Sequence, residues 1–146
     1  MSGDAGWLTM RGGDSANTRR GGAGRAPWHL CDLAELPDPG SRGFVAGRGR
    51  DGLGFFIVRR GGEVFGYVNS CPHLGVNLEW VPDRFLNPEG TLIQCSLHMA
   101  RFRIEDGYCL WGPCARQSLD PVALEVRAGR VLLTDPDLLM LRERYP

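Results

Sequence analysis

Two short segments that each carry one cysteine and one histidine constrain this chain more than any other feature of its sequence. The first is Cys71-Pro-His73, and the second is Cys95-Ser-Leu-His98. Thiolates bind zinc and iron–sulfur clusters, and imidazoles bind iron, zinc and copper. Two ligands of each kind make a set of four, so the sequence predicts one closed metal site that joins two separate loops.

The way these ligands are divided favours an iron–sulfur cluster over zinc. In the common zinc pattern both cysteines lie in one segment and both histidines in the other. Here each segment contains one cysteine and one histidine. This division suits a two-iron cluster in which one iron binds both cysteines and the other iron binds both histidines. A structural zinc module that uses the same four ligands stays open as an alternative.

The composition is that of a single globular domain without an overall charge. The chain has 146 residues, is 42% hydrophobic and has a formal net charge of zero. It therefore lacks the basic field that attracts nucleic acid or an acidic membrane. No apolar run approaches the ~18 residues of a membrane helix, and no hydrophobic segment follows Arg19-Arg20 to make an export signal. We therefore expect a cytoplasmic protein. Five cysteines in a cytoplasmic protein indicate metal or redox chemistry.

The chain is expected to consist of a short polar extension and one domain. Residues 1–26 are rich in Gly, Arg, Ser and Asp without periodicity, so we expect them to be mobile. The domain spans 27–146, where short apolar segments alternate with turn signals such as Gly61-Gly62. This pattern predicts an all-β sandwich or small barrel. The predicted strands are 28–31, 43–46, 55–59, 63–69, 91–95, 100–104, 122–126 and 131–133.

Two further segments predict helical structure. Asp32 is a suitable cap for one helical turn that ends at Pro37, and Asp135 followed by Pro136 is typical of a helix start. The apolar residues 138–141 of this C-terminal helix are expected to pack on their own domain, which favours a monomer. A contact with a second copy or a partner is the alternative.

Residues 69–119 resemble the Rieske iron–sulfur domain, especially that of soluble Rieske-type ferredoxins. The resemblance is carried by Cys71-Pro-His73-Leu-Gly75, by Cys95-x-x-His98, and by Gly112-Pro113, which looks like the third loop that covers the cluster. It implies a small antiparallel β-sandwich with a cluster-binding subdomain formed by two hairpin loops and the Gly-Pro loop. It also implies a [2Fe-2S] cluster with its buried iron on Cys71 and Cys95 and its outer iron on His73 and His98.

The sequence departs from high-potential members of that family in two respects. Those proteins have an extra cysteine in each ligand loop and a disulfide between them, but the matching positions here are Val76 and Leu97. They also have Ser and Tyr hydroxyls that donate to sulfur, where this chain has Ala100 and Phe102, which cannot donate. We therefore expect a potential near roughly −150 mV, the lower end of the Rieske range, and above the roughly −400 mV of plant-type ferredoxins.

The 21 residues 74–94 between His73 and Cys95 exceed the usual family spacing. We place the additional residues at 79–90, where an extended hairpin could distinguish one partner protein from another. Its aromatic residues Trp80 and Phe85 are interpreted as packing residues.

The remaining histidine and cysteines have ordinary interpretations. His29 is interpreted as a structural histidine and Cys31 as a small buried hydrophobe. Cys109 and Cys114 flank the Gly-Pro loop and are expected to be free thiols in a reducing compartment. A disulfide between them under oxidising conditions is the alternative.

Together these features predict an electron carrier and not an enzyme. The expected partner is an oxygenase or a reductase, because the chain is short for a catalytic iron or flavin domain of its own. A redox-sensing subunit of a larger enzyme stays open as an alternative.

Overall fold

The computed structural model describes residues 25–72, 75, 77–79, 81–96 and 99–144. Nine strands and one α-helix occur in this part of the chain. The strands are β1 (Trp28–Asp32), β2 (Gly40–Ala46), β3 (Leu53–Arg60), β4 (Glu63–Val68), β5 (Leu92–Gln94), β6 (Arg101–Arg103), β7 (Cys109–Trp111), β8 (Leu124–Arg127) and β9 (Arg130–Leu133). The helix α1 spans Pro136–Arg144.

The described strands form three antiparallel sheets of three strands each. A base sheet has the order β1-β9-β8, a middle sheet has the order β2-β3-β4, and a tip sheet has the order β5-β6-β7. Gly61-Gly62 forms the turn between β3 and β4, as predicted. The antiparallel β-sandwich that the sequence predicted is therefore confirmed.

The middle sheet buries both of its faces, because successive side chains of a strand point in opposite directions. In β3, Phe55 and Ile57 belong to one hydrophobic core, whereas Phe56 and Val58 belong to a second one. The first core, the base core, includes residues of the base sheet and α1. The second core, the tip core, includes residues of the tip sheet and the loops around it.

Helix α1 closes the base core. Leu138 and Leu139 are buried there, and the Arg142 guanidinium lies 4.6 Å from the centre of the Trp28 ring. The Asp135 side chain accepts a hydrogen bond from the Asp137 amide, as a capping residue does. The prediction that this segment packs on its own domain is thus confirmed.

Described residues of the extra segment between the two ligand segments pack on the middle sheet. The Asp83 carboxylate accepts a 2.8 Å hydrogen bond from the Gly43 amide of β2. Phe85 is fully buried and stacks on Phe56 with ring centres 4.2 Å apart, so its packing role is confirmed. Trp80 lies outside the described residues.

Other sequence predictions differ from the structure in extent. Strand β2 begins at Gly40, three residues earlier than predicted, and β7 was missed because Cys109–Trp111 is short and follows a turn. The predicted mobile segment 1–26 lies outside the described residues except for its last two. In the part of the chain that the structure describes, no helix is long and apolar enough to span a bilayer.

Candidate metal centre

The two cysteines of the ligand segments lie in the same buried region. Cys71 and Cys95 have no exposed surface, and both belong to the tip core. Cys71 follows β4 of the middle sheet, and Cys95 follows β5 of the tip sheet. Residues that are 24 positions apart in the chain thus reach one core from two different sheets.

Each of these cysteines begins a turn of the same kind. The Gly75 amide donates to the Cys71 carbonyl, and the Met99 amide donates to the Cys95 carbonyl, both at 2.7 Å. The residue that closes each turn has a left-handed backbone, with φ of 72° at Gly75 and 59° at Met99. Each ligand segment thus begins with a buried thiol and is closed by a residue with a left-handed backbone.

Hydrogen bonds tie the two turns together. The Ser96 amide donates to the Leu78 carbonyl at 2.7 Å, which connects the second loop to the first. The Asn69 side chain accepts from the Leu78 amide at 2.8 Å and donates to Glu79 at 3.0 Å. The positions of both loops are therefore set by polar contacts within the protein.

The Gly-Pro loop lies directly on the second ligand loop. A Cβ atom on Gly112 would lie 2.8 Å from both Cα and Cβ of Ala100, and its φ is 117°. Only glycine fits here without displacement, because the contact is too close for a side chain and the backbone is left-handed. The third loop thus packs against Ala100, just after the second ligand segment.

A family model identifies this arrangement. The model described as Rieske [2Fe-2S] domain matches residues 27–131. The chain belongs to this family. The cofactor of a Rieske domain is a [2Fe-2S] cluster. The described residues fit such a cluster. Two buried thiols that reach one core from two loops are the soft sulfur ligands that an iron–sulfur cluster takes.

Solved structures of Rieske-type proteins have the same fold. The ferredoxin of carbazole 1,9a-dioxygenase from Nocardioides aromaticivorans IC177 is 24% identical with a TM-score of 0.58, and the match covers 74% of this chain and 96% of that one. The Sphingomonas yanoikuyae B1 ferredoxin is 24% identical with a TM-score of 0.54, and the match covers 74% of this chain and 97% of that one. A complex of reduced oxygenase and oxidized ferredoxin in carbazole 1,9a-dioxygenase contains a chain that is 18% identical with a TM-score of 0.57. That match covers 75% of this chain and 93% of the other. No curated protein matches the chain.

Half of the predicted ligand set can be located in this Rieske domain. His73 and His98 lie outside the described residues, as do Val76 and Leu97. Among the described residues no three His, Cys, Asp or Glu side chains are grouped to hold a metal. The predicted ligand set of Cys71, His73, Cys95 and His98 therefore stays a prediction.

The positions that have hydroxyl donors in high-potential relatives are buried here. Ala100 and Phe102 have no exposed surface and belong to the tip core with Cys71 and Cys95. The hydroxyl of Tyr67, which is also in that core, donates to the Ile104 carbonyl at 2.6 Å. Since that carbonyl takes the Tyr67 proton, this hydroxyl does not replace the missing donors.

The cysteines of the third loop are free thiols, as predicted, and both belong to the tip core with Cys71. Their sulfur atoms, Cys109 Sγ and Cys114 Sγ, are 3.3 Å apart. Burial, followed by the hydrogen bond to Cys109, raises the pKa of Cys114 to about 12. Cys114 and Cys71 belong to the same tip core.

Sequence reasoning missed a group of exposed apolar side chains next to the loops. Met99, Leu110 and Trp111 are 45%, 48% and 61% exposed, and we call them the apolar rim. Met99 follows the second ligand segment, and the other two precede Gly112. The available signal was Leu110-Trp111 beside the Gly-Pro loop, which was not recognised because β7 was missed.

The two residues given ordinary interpretations behave as expected. His29 Nε2 lies 2.9 Å from the Asp32 carboxylate on the surface, and Cys31 is buried in the base core.

Proposed function

We propose that this Rieske domain carries single electrons on a [2Fe-2S] cluster held by Cys71, His73, Cys95 and His98. The observation that supports this best is the pair of equivalent turns, each headed by a buried cysteine, within a chain that matches the family model. When bound, the cluster accepts and releases one electron at a time. The two cysteines hold the inner iron in the tip core, and the two histidines hold the outer iron.

The surface around the loops is suited to a protein partner. The apolar rim lies beside the second ligand loop and the Gly-Pro loop, and exposed apolar patches of this kind mark interaction sites. One matched structure is the ferredoxin of a dioxygenase, and another is a complex of an oxygenase with a ferredoxin. The proposed partner is therefore an oxygenase that receives the electron, with a reductase as its source.

In this proposal the partner performs the catalysis. The chain provides a buried inner iron site and an apolar contact surface, and its role ends with delivery of the electron. A cytoplasmic location stays a prediction.

Spectroscopy and voltammetry of the purified protein test this function. We expect red-brown protein with two irons per chain, and a reversible one-electron wave in protein-film voltammetry. Colourless protein with bound zinc and no iron would establish the zinc module. A cluster that is destroyed in the first reduction cycle would favour a sensor over a carrier.

A second experiment tests the partner. The reduced protein is mixed with a Rieske-type oxygenase in a stopped-flow instrument, and reoxidation is followed at the cluster's visible absorbance. We expect reoxidation to accelerate with the oxygenase concentration and then saturate. A rate that does not depend on the oxygenase would refute the partner class while leaving the cluster assignment intact.

A further inference from the structure

Two thiols outside the predicted ligand set lie in contact with each other. Cys109 Sγ is 3.3 Å from Cys114 Sγ, and both residues have at most 1% of their surface exposed. A disulfide bond is about 2.05 Å long, so the two sulfur atoms need to approach by only about 1.2 Å to form one. The pair is therefore arranged for reversible oxidation.

Backbone pairing keeps the two sulfur atoms together. The Cys109 amide donates to the Gln117 carbonyl at 2.8 Å. Next to this pair, Tyr108 and Ser118 form an antiparallel bridge. Residues 108–118 thus form a hairpin with a closed base, which holds Cys109 opposite the segment that carries the other cysteine.

The pair lies directly beneath the protein surface. Every residue in 110–118 except Gly112 and Cys114 is exposed, so a single loop separates the sulfur atoms from solvent. Local opening of an exposed loop costs far less free energy than global unfolding. Hydrogen peroxide is small enough for such an opening to admit it.

We propose that Cys109 and Cys114 are an oxidation site that reacts with hydrogen peroxide and closes into a disulfide around the Gly-Pro loop. One sulfur attacks a peroxide oxygen, the O–O bond breaks, and a sulfenic acid and one water form. The second sulfur attacks the sulfenic sulfur, the S–S bond forms, and the S–O bond breaks to release a second water. The two thiols lose two electrons and two protons, and the peroxide is reduced to two waters.

Contact between the two sulfur atoms determines the product. A sulfenic acid without a neighbouring thiol is oxidised further to the irreversible sulfinic acid. Here the second thiol is already in contact, so disulfide formation is expected to exceed further oxidation roughly tenfold or more. The resulting ring of residues 109–114 contains Leu110 and Trp111 of the apolar rim, and oxidation therefore restricts the rim.

Trypsin separates this pair from the other cysteines. Cleavage after Arg103 and Arg116 releases the peptide 104–116, which contains both cysteines of the pair and no other cysteine. Cys31 lies in a different tryptic peptide and is buried in the base core, so it serves as the internal control. The purified protein is treated with hydrogen peroxide, denatured with an alkylating agent, digested and analysed by mass spectrometry.

The mass of peptide 104–116 is the main measurement. We expect it to carry no alkyl group after peroxide treatment and to be two hydrogen atoms lighter than the reduced, unalkylated peptide. Dithiothreitol before alkylation is expected to restore both alkylation sites, and Cys31 is expected to stay alkylated throughout. The inference is overturned if 104–116 stays fully alkylated at every peroxide dose up to loss of the visible absorbance. A disulfide from either cysteine to Cys71 or Cys95 would also overturn it.

Single variants show whether the pair is needed. In Cys109→Ser and Cys114→Ser the remaining thiol has no neighbour to close the ring, so it is expected to gain oxygen that dithiothreitol does not remove. Full recovery of the thiol in both variants would contradict the proposal.

Hydrogen exchange tests the effect on the rim. The amides of Leu110 and Trp111 are expected to exchange at least about threefold more slowly in the disulfide form, because the closed ring opposes local opening. Equal exchange in the two forms would show that the disulfide does not restrict the rim. The proposed function is tested separately, since protein that forms this disulfide without binding iron would refute the cluster and leave the oxidation site intact.

Discussion

At the scale of single residues, burial of Cys71 and Cys95 gives the sharpest prediction. Replacing either one by serine is expected to abolish the cluster's visible absorbance and to reduce bound iron below 10% of wild type, as a rough expectation for a lost thiolate ligand. Iron analysis of the purified variants is the measurement.

Cys109→Ser provides the comparison, because Cys109 is equally buried but lies outside the predicted ligand set. It is expected to keep its iron. If Cys109→Ser lost iron while Cys95→Ser retained it, the ligand assignment would be wrong.

Gly112 provides a second prediction at this scale. Alanine would place a Cβ 2.8 Å from Ala100 in a backbone with φ of 117°. Gly112→Ala is expected to destabilise the fold by about 1–3 kcal/mol, because overpacking forces the two loops apart. Urea denaturation measures the loss.

Gly62 is the matched control, since a Cβ on this turn residue meets no atom within 4 Å. Gly62→Ala is expected to change the urea midpoint little. Equal effects of the two substitutions would show that the contact between the third and second loops is unimportant.

At the scale of elements, the two ligand turns differ at the residue that closes them. Gly75 adopts its left-handed backbone at no steric cost, whereas Met99 has the same conformation with φ of 59°. A left-handed backbone costs an ordinary residue roughly 1–2 kcal/mol. The second turn is therefore strained where the first is not.

Met99→Gly is accordingly expected to stabilise the loaded protein relative to Met99→Ala by about 1 kcal/mol. Both variants lose the same side chain, including its contact with the Gln94 amide, so the difference reports the backbone alone. The urea concentration at which the visible absorbance is half lost measures it. Equal midpoints would mean that Met99 is not strained in the loaded protein.

At the scale of the whole molecule, the apolar rim is predicted to contact the partner. Trp111 is 61% exposed at the edge of the Gly-Pro loop. Trp111→Ala is expected to weaken binding to an oxygenase at least fivefold, because exposed aromatic anchors often contribute more than 1 kcal/mol to an interface. The cluster's spectrum and midpoint are expected to be unaltered. The oxygenase concentration at half-maximal reoxidation rate is the measurement.

Met140 serves as the remote control, because it is 40% exposed on α1, the helix that closes the base core. Met140→Ala is expected to leave the half-maximal concentration unchanged. If both variants weakened binding equally, docking would not be specific to the rim.

Local sequence signals predicted most of the fold. Strands β3 and β4 were predicted because aromatic and β-branched residues surround Gly61-Gly62, and both the turn and the pairing depend on neighbouring residues. Strand β7 could not be recognised from its three residues, because its conformation depends on pairing with β6. The 79–90 segment was expected to be an extended hairpin, and its packing on β2 depends on Asp83 reaching a strand distant in the chain.

The sequence by itself determined which chemistry this protein can perform, since the types and spacing of Cys71, His73, Cys95 and His98 restrict the metal centre before any folding is considered. Only the tertiary structure decided what surrounds that centre. Three sheets bring Cys109 to Cys114, Gly112 against Ala100 and the apolar rim to the surface beside the loops. The physical reason is that ligand identity is a property of single side chains, whereas contacts between loops depend on residues that only packing brings together.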